Sequence, residues 1–158
     1  MIGYVTPESP TLSILLARLA GMPVGLSASA VRDIVRSVAI APLPGAPPII
    51  EGAINLHGRI VPVVDLRSRL ELPPLANAPD QFLVILETSD RFIAVRVDDV
   101  DDVTDVATAG LETQADLSPV LQRLSGVAAT PDGALVIYDA DAFLTQAERD
   151  ALAEAEAV

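Results

Sequence analysis

The 158-residue chain contains no cysteine, no lysine and no tryptophan, and its only histidine is His57. The absence of cysteine excludes disulfides, thiolate nucleophiles and zinc sites built on sulfur. With three phenylalanines and two tyrosines, the chain has too few rings for a stacking platform that binds bases or sugars. The nine glycines are scattered, so the sequence also lacks a glycine-rich phosphate loop.

The charge is strongly one-sided, with a formal net charge of −12, and all ten basic residues are arginines. Such a chain repels phosphate backbones and anionic lipid, so we expect no nucleic acid as a partner. Prolines interrupt the long uncharged runs, which predicts no direct membrane insertion. The first ten residues carry Glu8 and no basic run, so we expect no secretory signal and a cytoplasmic location.

Short segments rich in branched or aromatic residues, bounded by turn formers, predict strands at 11–21, 81–88, 91–97 and 134–140. Strict alternation in 91–97 indicates a strand with one face fully buried. The sequence ETSDR predicts a hairpin between the second and third of these strands, and TPDGA predicts another. Many short strands with frequent turns favour a mainly β fold of the barrel or sandwich type.

Helices are few. Ser118 and Pro119 are typical of a helix start and predict a short helix in SPVLQRL. The terminal FLTQAERDALAEAEAV predicts a longer helix that frays after Leu152, with Leu144, Ala147, Ala151 and Leu152 on one face. The segment PGAPPII predicts a turn or short helix that ends at Gly52, and the acidic run VDDVDDVTDV a solvated bend between two strands.

One stretch, EGAINLHGRIVPVVDLRSRL at 51–70, concentrates the turn formers. Asn55 and Gly58 favour a tight turn, which would present His57 at a loop tip. Pro62 cannot donate a ladder hydrogen bond, so the strand after the turn is an edge strand or directs that nitrogen outward.

The end of the same stretch predicts a capped helix. Asp65 stands where a strand ends and can cap the short helix in LRSRL, with Arg67 close enough to pair with it. Both residues therefore have a structural interpretation.

Catalytic and metal sites lack their usual patterns. The chain has no G-x-S-x-G elbow and no H-x-x-x-H spacing, and the acidic run has no glycine at the turn of a calcium loop. We therefore expect no catalytic residue, no metal and no cofactor. A hydrolase that uses His57 or the aspartates of 98–105 remains as the alternative from a different class.

The stretch GAINLHGRIVPVVDLRSRL closely resembles the signature of the CheW-like family, G-x-[IV]-N-L-R-G-x-[IV]-[IV]-P-[IV]-[IV]-D-L-R. AVRDIV, IAPLPGAPPIIEG and FIAVRVDDVDDV are similar to other family segments, in the same order. The resemblance covers residues 12–144, which leaves an N-terminal head at 1–11 and a C-terminal helical tail at 145–158.

The resemblance implies two intertwined five-stranded SH3-like β-barrels around one core, with short helices and a C-terminal helix. It also implies a non-enzymatic chemotaxis adaptor that couples the cytoplasmic tips of methyl-accepting chemoreceptors to a histidine kinase through the kinase's CheW-like regulatory domain. Such an adaptor is cytoplasmic and is recruited to membrane-associated receptor arrays.

Carried over residue by residue, the family's receptor-binding positions are Asp33, Gly52, Asn55 and His57, and its structural signature positions are Gly58, Pro62, Asp65 and Arg67. Two positions depart from the pattern, since Asp33 replaces a glutamate and His57 replaces an arginine. A divergent CheW-like scaffold of another array, for pilus motility or polar localisation, therefore remains the alternative function.

Overall fold

The computed structural model describes residues 11–107, 124–130 and 133–157, with side chains for 12–106 and 135–157. Within these ranges the chain is mainly β, and two α-helices and short 3₁₀ segments complete it. In chain order the elements are β1 Thr11–Leu19, β2 Met22–Ser27, a 3₁₀ segment Ala28–Ala30, β3 Val31–Arg36, β4 Ile50–Leu56, β5 Arg59–Val64, α1 Leu66–Arg69, β6 Phe82–Glu87, β7 Phe92–Val97, β8 Asp99–Ala107, β9 Leu124–Thr130, β10 Gly133–Tyr138, a 3₁₀ segment Ala140–Phe143 and α2 Gln146–Glu156.

The strands form two five-stranded sheets. The first sheet has the order β8-β1-β2-β10-β9, and the second has the order β3-β6-β7-β5-β4. The chain starts in the first sheet, builds the whole second sheet and then returns to complete the first, where β1 pairs with β8 and β2 pairs in parallel with β10. This order confirms the predicted pair of intertwined five-stranded β units.

Three apolar clusters fill this architecture. The largest lies between the sheets and includes Leu19 and Leu26 of the first sheet and Val95 of the second. A smaller cluster around Ile85 and Ala94 belongs to the second sheet, and another around Ile137 belongs to the first. The central strands of each sheet are therefore buried on both faces, one on the sheet's own cluster and the other on the shared core.

Burial on both faces corrects the expectation for 91–97. Every residue of β7 from Ile93 to Val97 is buried, because β7 lies in the middle of its sheet between two clusters. The predicted hairpin with the preceding strand is confirmed, with Glu87 opposite Phe92. The antiparallel pairing of β9 and β10 confirms the second hairpin, although residues 131 and 132 of its turn lie outside the described residues.

Other predicted elements differ from the structure. The segment 11–21 is not a single strand, because β1 ends at Leu19 and Ala20 and Gly21 turn the chain into β2. The connection through PGAPPII leads into β4, which begins at Ile50 and continues through Gly52. The predicted helix at SPVLQRL falls on residues 118–123, outside the described residues, and its last residue, Leu124, begins β9.

The acidic run forms a strand instead of a bend. After a single bend at Asp98, β8 pairs with β1 from Asp99 to Ala107, with a register shift between Leu15 and Ala17. Its aspartates stay at the surface, where Asp105 accepts a hydrogen bond from Ser13 (2.6 Å) and Asp101 pairs with Arg18 (3.0 Å). The local pattern of valines and aspartates does not reveal a partner strand that lies more than 80 residues earlier in the chain.

The C-terminal helix α2 is shorter at its start than predicted and longer at its end. It begins at Gln146 because Thr145 and Glu148 form a capping box, and it continues to Glu156 instead of fraying after Leu152. Leu152 is fully buried in the shared core. Arg149 is also buried and pairs with Asp141, whereas Ala147 is exposed, so the buried face differs from the predicted one.

Candidate functional site

The hairpin that joins β4 and β5 has a two-residue turn made of His57 and Gly58. Leu56 and Arg59 face each other across it, and the φ angles of His57 (52°) and Gly58 (85°) are both positive, as in a type I′ turn. Asn55 stabilises the turn, because its Oδ1 accepts a hydrogen bond of 2.8 Å from the Gly58 amide. His57 is exposed at the loop tip, which confirms its predicted position.

Glycine is required at two positions of this stretch, Gly52 and Gly58, for different physical reasons. A Cβ atom on Gly58 would meet no heavy atom within 4 Å, so glycine serves the positive φ of the turn. A Cβ atom on Gly52 would lie 2.2 Å from the carbonyl oxygen of Ala41, at a bulge where Ala41 and Ala53 form a bridge. Gly52 is buried and allows the close approach of two backbones.

The second sheet carries a row of side chains that lead towards this turn, and we call it the β3–β5 row. It consists of Arg32 on β3, Glu87 on β6, Phe92 on β7 and Arg59 on β5. Arg32 Nε is 2.6 Å from Glu87 Oε1, Glu87 lies directly opposite Phe92, and the Arg59 guanidinium lies 4.4 Å from the centroid of the Phe92 ring.

Asp33 lies beside the Arg32 end of the row. It is half-buried, stands opposite Ile85 of β6, and accepts a hydrogen bond of 2.8 Å from the Ile34 amide through Oδ1. β3 and β4 are the two edge strands of the second sheet, and β6, β7 and β5 stand between them in the sheet order.

Sequence reasoning missed Glu87, Phe92 and Arg59, which lie between the two edges. Each belongs to a strand whose neighbour is distant in sequence or joined by a parallel pairing, such as Val63 with Ala94. The exposed arginine directly after the turn was the available signal, but the sequence alone does not show which ring it contacts.

Two signature residues have structural roles that the geometry explains. Asp65 Oδ1 accepts a hydrogen bond of 3.1 Å from the Ser68 amide, which confirms the predicted N-cap of α1. Pro62 faces Ala53, whose backbone amide and carbonyl bond to Ala41 on the other side. The pair is therefore of the non-hydrogen-bonded type, and Pro62 loses no bond to β4. However, β5 lies between β4 and β7, so the edge-strand alternative was wrong.

Arg67 does not pair with Asp65, contrary to the expectation. Its Nη2 lies 2.7 Å from Asp98 Oδ2, and its Nη1 donates to the Pro73 carbonyl at 2.8 Å. Asp98 also accepts hydrogen bonds from the Ala20 amide (2.9 Å) and Gln81 Nε2 (3.1 Å). Burial opposes ionisation of Asp98, but these hydrogen bonds outweigh burial and lower its pKa below the usual value.

The same polar network continues into the second sheet. Arg96 is buried and forms a bidentate pair with Glu51, with Nε at 3.2 Å and Nη2 at 3.0 Å from its two oxygens. Arg96 Nη1 also donates to Gln81 Oε1 at 2.9 Å. Glu51, Arg96, Gln81, Asp98 and Arg67 thus form one connected network, which ends at the β1–β2 turn of the first sheet.

An open polar cleft of about 570 Å³ lies at the Arg32 end of the β3–β5 row. Hydroxyl and carboxylate side chains line most of it, among them Ser27, Ser29, Ser89 and Asp141. Ser89 donates to Asp141 at 2.9 Å, and Asp141 pairs with Arg149. The charged groups of the cleft are therefore already satisfied within the chain.

The described residues contain no group of three or more side chains able to hold a metal ion. Among the same residues, no helix is long and apolar enough to cross a membrane. The site is thus built from a hairpin tip, a row of charged and aromatic side chains and a polar cleft, which suits protein contacts.

Comparison with known proteins gives consistent matches. The model of the CheW-like domain matches residues 13–148. The chemotaxis protein CheW of Rhizobium meliloti (strain 1021) is 27% identical over 124 residues, covering 77% of this chain and 80% of that protein. The chemotaxis protein CheW of Klebsiella aerogenes is 24% identical over 149 residues, covering 93% of this chain and 90% of that protein.

A solved structure agrees in both fold and sequence. The scaffolding protein TtCheW from Thermoanaerobacter tengcongensis superposes with a TM-score of 0.76 at 27% sequence identity, covering 90% of this chain and 95% of that one. Because the family model extends over most of the sequence, the chain belongs to the CheW-like domain family of chemotaxis scaffold proteins.

Proposed function

We propose that the chain is a non-enzymatic adaptor that couples the cytoplasmic tips of chemoreceptors to the regulatory domain of a chemotaxis histidine kinase. The observation that carries the proposal is the family match across residues 13–148. The site supports it, because it exposes a hairpin tip and a row of charged and aromatic side chains that suit protein contacts.

On the receptor side, we assign binding to Asp33, Asn55 and His57, with Gly52 shaping the strand that leads to them. Asp33 lies on β3, and the His57 hairpin joins β4 to β5 of the same sheet. We assign both positions to one receptor hairpin, whose two helices are each about 10 Å across.

On the kinase side, we place the contact on a surface separate from the β3–β5 row. Through both contacts the adaptor is recruited to membrane-associated receptor arrays. Neither contact needs a cofactor, since rim charges and apolar anchors suffice to specify such an interface.

Co-purification tests this function directly. The full chain is mixed with a recombinant receptor cytoplasmic hairpin and with the kinase regulatory domain, both from the same genome, first singly and then together. We expect two binary complexes and one ternary complex by size-exclusion chromatography. If the chain binds the kinase domain but none of the receptor hairpins, receptor coupling is contradicted and a scaffold of another array is favoured. Absence of both complexes would contradict the adaptor function itself.

A further inference from the structure

The arginines of this acidic chain are almost all neutralised internally. Every arginine whose side chain is described pairs with a carboxylate of the chain, except Arg36 and Arg59. These two instead lie over the rings of Phe82 and Phe92, at 4.7 Å and 4.4 Å from the ring centroids. In a chain of net charge −12, a guanidinium that no described carboxylate neutralises stands out as a place for an anion.

Arg59 lies beside the His57–Gly58 turn of the candidate site, whereas Arg36 lies away from it. Arg59 follows the His57–Gly58 turn directly, and its ring Phe92 stands at the end of the second sheet beside Glu87. Phe82, the ring under Arg36, stands at the opposite end of β6, facing Val97. The two arginines have the same chemistry and different positions.

The neighbouring carboxylate, Glu87, is paired with another arginine and not with Arg59. Glu87 lies opposite Phe92, but its Oε1 is engaged by Arg32 at 2.6 Å. Along the row, the Arg32–Glu87 ion pair is thus followed by the Phe92 ring and then by Arg59, a cation with no described carboxylate partner. Phe92 is half-buried and packs against the second-sheet cluster, so the ring supports the guanidinium of Arg59, which is itself exposed.

We propose that Arg59, held on Phe92, binds a carboxylate of the receptor hairpin and supplies the cation that the family signature places at position 57 and this chain lacks. This inference rests on the proposed receptor coupling. A guanidinium presents two parallel N–H donors to a carboxylate, and contact with the Phe92 ring orders it before binding, which reduces the entropy lost in the complex. His57, two residues earlier, contacts the same helix as a single directed partner.

Calorimetric titration of a receptor cytoplasmic hairpin, taken from the same genome, tests the inference at several salt concentrations. Arg59→Ala should weaken hairpin binding roughly threefold to tenfold and reduce its salt dependence. Arg59→Lys should recover only part of the affinity, because the planar fork is lost. The matched control is Arg36→Ala, which removes the same charge and the same kind of ring contact and should bind like the unchanged protein.

The possible outcomes distinguish the role of Arg59 from the adaptor function on which it rests. If the unchanged protein binds the hairpin and Arg59→Ala binds equally well, the role of Arg59 is wrong and the adaptor function stands. An equal loss in Arg36→Ala also overturns it, because a general effect of charge would then explain both variants. If the unchanged protein binds no hairpin, both proposals fail. Circular dichroism and the urea midpoint of each variant show that the fold is retained.

Discussion

Arg67 and Asp98 form an ion pair of 2.7 Å that joins the two halves of the molecule. Arg67 belongs to α1 beside the second sheet, whereas Asp98 also accepts the backbone amide of Ala20 in the β1–β2 turn of the first sheet. The Arg67 side chain is only 9% exposed, so Asp98 rather than water compensates its buried positive charge. The pair therefore fixes how the β1–β2 turn sits against the second sheet.

Asp98→Ala should destabilise the fold by about 2–3 kcal/mol, because it leaves a buried guanidinium unpaired and the Ala20 amide without its acceptor. Urea denaturation at neutral pH measures this change. Asp101→Ala is the matched control, since it removes the neighbouring exposed pair with Arg18 and should cost about 1 kcal/mol or less. Equal effects of the two substitutions would contradict the assigned role of the Arg67–Asp98 pair.

Acid should remove the contribution of Asp98. Its pKa is lowered in the folded protein from the ordinary value of 3.8, so the carboxylate stabilises the fold at pH values above 3.8. That contribution is lost as the pH falls through the folded pKa. We therefore expect the difference in free energy of unfolding between the unchanged protein and Asp98→Asn to be constant above about pH 5. It should shrink as the pH falls below about 4. A difference that grows with acidification would oppose this assignment.

Gly52 and Gly58 should respond differently to alanine. At Gly52 the added Cβ meets the Ala41 carbonyl oxygen at 2.2 Å, so the bulge must open. We expect the free energy of unfolding to fall by about 2–3 kcal/mol. At Gly58 there is open space, and only the positive φ is unfavourable for alanine, which costs about 1 kcal/mol. Thermal unfolding of both variants makes the comparison. If Gly52→Ala kept full stability and lost only receptor binding, the packing role of Gly52 would be wrong.

The features that sequence could predict are those set by neighbours along the chain. The cap of Asp65 on Ser68, the His57–Gly58 turn and the β6–β7 hairpin each depend on residues fewer than seven positions apart, and local chemistry determines them. The pairing of β8 with β1, the Arg67–Asp98 pair and the stacking of Arg59 on Phe92 depend on contacts across 30 residues or more. Such contacts follow from strand order, which composition and periodicity do not encode.

The receptor-binding positions fall between these two cases. The exposure of His57 follows from the local turn, so it could be predicted, whereas its relation to Asp33 follows from the order of five strands. For Gly52, the resemblance suggested a contact with a partner, and the structure adds a packing reason within the chain. Position in the family signature therefore does not separate residues that bind from residues that shape the strand.

His57 provides the sharpest test of the receptor surface. Its side chain is exposed at the tip of the β4–β5 turn, and polar groups at the edge of an interface seldom affect folding. His57→Ala should therefore leave the urea midpoint unchanged and weaken binding of the receptor hairpin about threefold. His57→Arg restores the residue of the family signature and, beside Arg59, should strengthen binding of an acidic hairpin at low salt. Neither variant should change binding of the kinase regulatory domain, which we place on another surface. A loss of kinase binding with unchanged receptor binding in His57→Ala would instead move this hairpin to the kinase interface.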